Sequence, residues 1–236
     1  MTWFEQFLHS VVNEWGVVLL QGALVTLQIS GGAFALGLLI GLLVAMTKLS
    51  GKTPLVVLAN SYITVCRAVP ELLLILLLYY AGSDLINAVL DGLGHEPVEI
   101  NGFASGVLVL GIVQGAYASE IIRGAILAIP VGHIEAARAF GCSRSLIVRR
   151  ILIPEMMPFA LAGLSNLWMT LLKDSALISV VGYNELLFTA KQAAGSTKMY
   201  LLFYLSVGAM YLVITLLSNL VVERIESRFR RWMPAH

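Results

Sequence analysis

Five long apolar runs dominate the chain, separated by short polar stretches. They extend from Val17 to Met46, from about Leu55 to Ala81, from about Phe103 to Ala128, from Met156 to about Ser179, and from Met199 to Val222. About 20 mostly apolar residues are needed to cross roughly 30 Å of hydrocarbon, and each run is long enough. Backbone groups in lipid must be satisfied within the segment, so the pattern predicts five transmembrane helices. A β-barrel would need alternating strands of about ten residues, and that alternation is absent. The expected fold class is an all-α membrane protein, with residues 1–236 forming a single transmembrane domain.

Residues 1–15 follow a different rule. Trp3, Phe4, Phe7, Leu8, Val11, Val12 and Trp15 recur at helical spacing as an amphipathic stripe with a Trp near each end. The stripe predicts a short helix lying on the membrane surface, with a frayed tail as the alternative. Glu5 and Glu14 occur there without any Lys or Arg, so the positive region of a signal peptide is missing.

Charge orients the runs. Acids precede the first, and Lys48 and Lys52 follow it. Asp84, Asp91, Glu96 and Glu99 lie between the second and third; Arg138, Arg144, Arg149 and Arg150 lie between the third and fourth. Glu185, Lys191 and Lys198 precede the fifth, and Arg224, Arg228, Arg230 and Arg231 follow it. Positive loops stay in the cytoplasm, so the N-terminus is expected outside and the C-terminus inside. Only the mixed stretch before the fifth run blurs this alternation.

Composition agrees. Of 236 residues 58% are hydrophobic and 12% charged, with mean hydropathy +0.87, whereas soluble domains carry roughly 25% charge. A net charge of +1 gives no reason to expect a nucleic-acid partner. Cys66 and Cys142 read as unpaired thiols, without metal-ligand spacing. The chain has no phosphate-binding Walker loop, so no cofactor is expected on it and ATP would be used elsewhere. Gly37/Gly41, Gly102/Gly106 and Gly111/Gly115 are GxxxG pairs that allow close helix contact, within the chain or against a second subunit.

Several charges fall inside the runs. Ten residues, Leu72 to Ala81, separate Glu71 from a Gly82-Ser83-Asp84 turn signal. That is about 15 Å of helix, so the second span is expected to reach back through Arg67 and Glu71. Their four-residue spacing would pair them on one face, and Pro70 between them would weaken the ladder. Ionisable groups at such depth cost at least roughly 2.5–3.5 kcal/mol and mark either a substrate site or a structural ion pair. Glu120 lies one turn deeper than Arg123, which would snorkel to the interface. Lys173 and Asp174 are expected at the outer interface. Arg67, Glu71, Glu120, Lys173 and Asp174 are thus the candidate pathway residues.

The cytoplasmic stretch 129–154 predicts two short helices around a glycine turn. Pro130 can open the first, Gly141 suits the left-handed position that ends it, and a second runs from Arg144 to Ile151 before Pro154. Such a unit needs a membrane surface or a partner. Ala136 and Ala137 leave room for close docking, with Glu135 beside them.

Glu135-Ala136-Ala137, with Gly141 four residues after the second Ala and Ile151-Leu152-Ile153-Pro154 beyond, resembles the EAA loop of binding-protein-dependent ABC importer permeases. Gly22-Ala-Leu-Val-Thr-Leu27, Arg67-Ala-Val-Pro-Glu-Leu72, Ala116-Tyr-Ala-Ser-Glu-Ile-Ile-Arg-Gly124 and Lys173-Asp-Ser-Ala-Leu177 resemble the polar amino-acid branch, with Ala68 replacing a more usual Gly. The likeness extends to permeases of histidine, lysine/arginine/ornithine and opine importers. It implies a type I importer permease fold in the bacterial inner membrane. It also implies an identical or homologous permease partner, two ATP-binding subunits and a periplasmic solute-binding protein. The glycine-hinged loop would be the coupling helix seated in the ATPase, carried by Glu135, Ala136, Ala137 and Gly141. Glu71 and Glu120 would suit a cationic substrate. Two other classes are a passive channel, which would have no use for such a loop, and an intramembrane enzyme. Against the enzyme, His9, His95, His133 and His236 all lie outside the runs.

Overall fold

The computed structural model describes residues 8–97 and 101–230. It is all α-helical. A π-helical turn, Leu8–Glu14, leads into α1, Gly16–Leu49. Next come α2 (Thr53–Ala68), α3 (Glu71–Gly92) and α4 (Gly102–Leu127). The polar loop holds α5 (Val131–Ala139) and α6 (Arg144–Ile147). A π-helical turn, Val148–Leu152, then runs into α7 (Ile153–Asp174), followed by a 3₁₀ stretch, Ser175–Val181, α8 (Leu186–Thr197) and α9 (Tyr200–Arg230).

Of the surface stripe expected over residues 1–15, Trp3, Phe4 and Phe7 lie outside the described residues. Val11 joins a cluster with Leu19, Ala23, Leu186, Ala190 and Phe203, and Trp15 packs edge to face on Phe203 with ring centroids 6.3 Å apart. This part of the stripe faces protein.

Among the described residues four helices, against the expected five, are long and apolar enough to cross a membrane by length and composition: Gly16–Leu49, Glu71–Gly92, Gly102–Leu127 and Tyr200–Phe229. The run expected as the fourth span forms α7, which is missing from that set. Pro158, Gly163, Ser165, Asn166 and Thr170 dilute its apolar character.

The second run departs further. It is two helices, broken where Val69 and Pro70 adopt extended backbone. Pro70 has no N–H to donate into the ladder and disfavours helical geometry at Val69. The helix after the break passes straight through Gly82-Ser83-Asp84 to Gly92, and Ser83 Oγ turns back to the Tyr79 carbonyl. At 22 residues α3 is about 33 Å long, so it does not need Arg67 to reach spanning length. No ion pair joins Arg67 to Glu71, because the break removes the shared helical face on which four-residue spacing would pair them.

The core is the pairing of α1 with α4, made possible by small residues on both. A Cβ on Gly37 would lie 3.3 Å from the Gly111 carbonyl oxygen and 3.4 Å from the Gly115 nitrogen. One on Gly41 would lie 2.7 Å from the Ala118 Cβ. Reciprocally, Leu36 and Ile40 press against Gly111 and Gly115. The third GxxxG pair also faces this chain, Gly102 against Tyr183 and Gly106 against Ile178, so all three serve contact within it.

Helix α8 occupies the mixed stretch before α9, where sequence patterning gave only a loop. Its buried Ala190, Ala193 and Ala194 join the cluster between α1 and α9. Glu185 caps it, accepting from the Leu187 and Phe188 amides at 2.8 and 2.7 Å. Thr26 Oγ1 (3.3 Å) and the Tyr211 hydroxyl (3.1 Å) donate to the same carboxylate, which is completely buried. Glu185 is thus a packed capping residue and carries no charge signal for topology.

Candidate functional site

Where α2 gives way to α3, the break opens against α4 and α7. The cavity there has a volume of about 340 Å³ and is lined by Arg67, Glu71, Gln114, Tyr117, Glu120, Ile121, Gly163, Asn166, Leu167 and Thr170. Local sequence explains the arrangement. The Pro70 break places Glu71 in the first turn of α3. Polar Gln114 and Tyr117 are three apart on α4, and Asn166 and Thr170 four apart on α7, so each pair shares a face. Gly163 lets α7 approach Ile121 of α4, where a Cβ would lie 2.7 Å from Ile121 Cγ2.

Three of the five pathway candidates, Arg67, Glu71 and Glu120, line it, and Asp174 is tied to its wall through Gln114. Arg67 lies over the Tyr117 ring, 5.8 Å from its centroid, a cation–π contact. Gln114 Nε2 donates to Asp174 Oδ2 at 3.2 Å. Glu71 and Tyr117 line the same cavity. Gln114 sits midway along α4, so this bond holds Asp174 level with the middle of that helix. Lys173 is exposed and does not line the cavity.

Glu120 is already engaged. It accepts from Lys48 Nζ at 2.5 Å and from Arg123 at 2.7 Å, tying the last turn of α1 to α4. The freer carboxyl groups are Glu71 and Asp174. Gln114, Tyr117, Asn166 and Thr170 escaped sequence reasoning as lining residues. The available signal was a polar residue recurring at helical spacing within an apolar run.

The second candidate region is the loop. Pro130 precedes α5, and Gly141 has φ +76°, the left-handed geometry expected at a helix end. Glu135 and Ala136 are exposed and Ala137 is buried. Phe140, beside the glycine, is 88% exposed. The second short helix does not stop before Pro154. It continues through the π turn into α7, and Pro154 falls in that helix's first turn. The widened turn accommodates the carbonyl that a proline leaves without an N–H partner. The second short helix is therefore continuous with α7.

These features place the chain among transport proteins. Residues 37–231 match the family of binding-protein-dependent transport system inner membrane components, and the chain belongs to that family. It is similar to the nopaline transport system permease protein NocQ of Agrobacterium fabrum, 43% identical over 207 residues that cover 87% of this chain and 88% of that protein. It is likewise similar to the histidine/lysine/arginine/ornithine transport system permease protein HisQ of Salmonella typhimurium, 40% identical over 212 residues, 90% of this chain and 93% of that one. A solved crystal structure of an amino acid ABC transporter with histidines contains a chain matched at TM-score 0.76 and 32% identity, over 91% of this chain and 95% of that chain. The chain is thus an inner-membrane, multi-pass permease component of an ABC importer, and ATP hydrolysis belongs to a separate subunit. Family membership implies the usual associates of such permeases: a paired permease, ATPase subunits and a solute-binding protein.

Proposed function

We propose that this permease translocates polar, cationic amino acids or opines, and that the cavity at the α2–α3 break is their passage through this subunit. The observation that carries the reading is a cavity lined by the carboxyl group of Glu71 and by Arg67, with Asp174 bonded to the lining residue Gln114. A basic amino acid has a cationic side chain for the carboxylates and an α-carboxylate for a guanidinium. NocQ and HisQ, whose names give nopaline and histidine, lysine, arginine and ornithine as cargo, support this substrate class.

In this reading the whole chain is one permease domain with five crossings. Helix α7 is the fifth, shielded between α4 and α9, with the N-terminus outside and the C-terminus inside. The loop 129–154 couples to the ATPase through Glu135, Ala136, Ala137 and Gly141. Two permeases enclose the pathway, and ATP-driven closure of the ATPase pair pulls both loops so that access alternates between the two sides. The chain performs no bond chemistry.

The test is uptake into proteoliposomes holding the full transporter and its solute-binding protein. Arginine, histidine or an opine should be taken up in preference to glutamate, and Glu71→Gln or Asp174→Asn should cut that uptake at least about tenfold, the worth of one charge-assisted contact. Uptake of cationic substrates unchanged in both variants would remove the cavity as their passage.

A further inference from the structure

We propose that Gln114 is a substrate-binding residue, whose side-chain oxygen accepts a hydrogen bond from a cationic N–H group of the amino acid in the cavity, and that Asp174 positions the Gln114 amide for this contact. The inference rests on the cavity being the substrate passage.

Three observations carry it. First, Gln114 lines the cavity at 1% exposure, and no protein group donates to its Oε1. A buried acceptor without a partner is costly, and a ligand that brings N–H donors relieves that cost as it arrives. An aliphatic residue in this apolar stretch of α4 would avoid the cost altogether. Second, the orientation of the amide is set. Its Nε2 donates to Asp174 Oδ2 at 3.2 Å. A carboxylate only accepts, so the nitrogen takes that side and the oxygen is turned away from Asp174. The stem of the side chain is held as well, since α1 presents Gly37 to it and a Cβ there would lie 3.2 Å from the Gln114 Cβ.

Third, donors on the neighbouring elements are spent or absent. Gly37 brings no side chain from α1. The hydroxyl that α2 sends to this stretch of α4, Tyr62, donates to the Ile112 carbonyl. Ser119 of α4 donates to the Ala116 carbonyl, and the Arg67 guanidinium lies over the Tyr117 ring. The acceptor is thus left for whatever the cavity holds.

A site built around a buried acceptor favours a substrate that brings a donor and rejects one that leaves it unpaired. Ammonium and guanidinium groups carry donors and no acceptor. Gln114 therefore adds a neutral contact to the charge of Glu71 for the same class of cation. Asp174 does not need to touch the substrate, because it acts through the amide. Asparagine in its place can donate to Gln114 Oε1, which inverts the amide and presents N–H groups to the cavity.

The experiment uses the intact permease–ATPase complex in lipid nanodiscs without the solute-binding protein and reads equilibrium binding of radiolabelled arginine. Gln114→Met should weaken binding at least about tenfold, the worth of one charge-assisted hydrogen bond. Asp174→Asn should weaken it similarly, yet add less than about twofold on top of Gln114→Met, because a residue that acts through another loses its effect once that other is gone. Competition by norleucine, which has the α-ammonium and an apolar side chain, locates the donor. A Gln114→Met loss shared by norleucine assigns it to the α-ammonium, and a loss confined to arginine assigns it to the guanidinium. Should Gln114→Met fail to assemble, the exchange of Gln114→Glu with Asp174→Asn keeps a donor at position 174 and an acceptor at position 114. It should recover the binding that Asp174→Asn alone loses. Arginine binding at wild-type strength in Gln114→Met, additive losses in the double variant, or equal binding by Asp174→Asn and the exchange would overturn the inference. The substrate passage then stands if Glu71→Gln still weakens binding. Binding untouched in the Gln114 and Glu71 variants alike would overturn both.

Discussion

Glu185 illustrates how one side chain can fasten three elements. Its carboxylate receives two amides of α8, Thr26 of α1 and Tyr211 of α9. Glu185→Ala strands these buried donors, and each unsatisfied group costs about 1–3 kcal/mol. The purified variant should unfold at a clearly lower temperature in detergent, with Glu185→Gln intermediate because it keeps one acceptor oxygen. Equal melting of wild type and Glu185→Ala would contradict this role. Glu120 makes a parallel case at the other end of α1. Glu120→Gln should weaken the tie to Lys48 and Arg123 and lower stability without changing which amino acid is transported, as competition uptake assays can determine.

At the scale of elements, the α1–α4 contact and the glycine turn make separable predictions. A Cβ at Gly41 meets Ala118 Cβ and the Ser119 backbone, neither of which can rotate away, whereas Gly31 faces open space. Gly41→Ala should therefore lower thermal stability in detergent and Gly31→Ala should leave it unchanged. Gly141 needs a left-handed backbone that costs a side-chain-bearing residue roughly 1–2 kcal/mol. Gly141→Val should uncouple ATP hydrolysis from stimulation by the solute-binding protein, and Gly141→Asn should largely preserve it. The apolar runs made the long helices legible, because length and hydropathy decide what crosses lipid. The Gly141 turn was legible from its flanking pattern. The α2–α3 break was legible only as a weakened ladder, since Pro70 blocks the helix but cannot say how far the next one extends. Helix α8 was hidden because its buried face is alanine and its cap is a charged residue, a combination that hydropathy reads as loop. The Gln114–Asp174 contact was hidden because it joins α4 to α7 across sixty residues.

On the scale of the whole molecule, two surfaces remain uncovered in ways that suit different surroundings. Large apolar side chains on the outer faces of α1 and α9, such as Leu20, Leu43, Leu201 and Leu205, suit lipid. Phe140 is exposed on the polar loop. An exposed aromatic beside a rigid turn fits the anchor of a protein interface, where truncation typically costs 2 kcal/mol or more, about thirtyfold in affinity. Phe140→Ala should reduce the ATPase recovered with tagged permease while leaving the permease folded. The most direct test of the coupling account is a native mass spectrum of the tagged permease, expressed with its operon and extracted gently. A permease pair bound to two ATP-binding subunits is expected, with that assembly lost in Phe140→Ala and Gly141→Val. Recovery of the chain alone or as self-oligomers, under conditions that keep other importers intact, would contradict it.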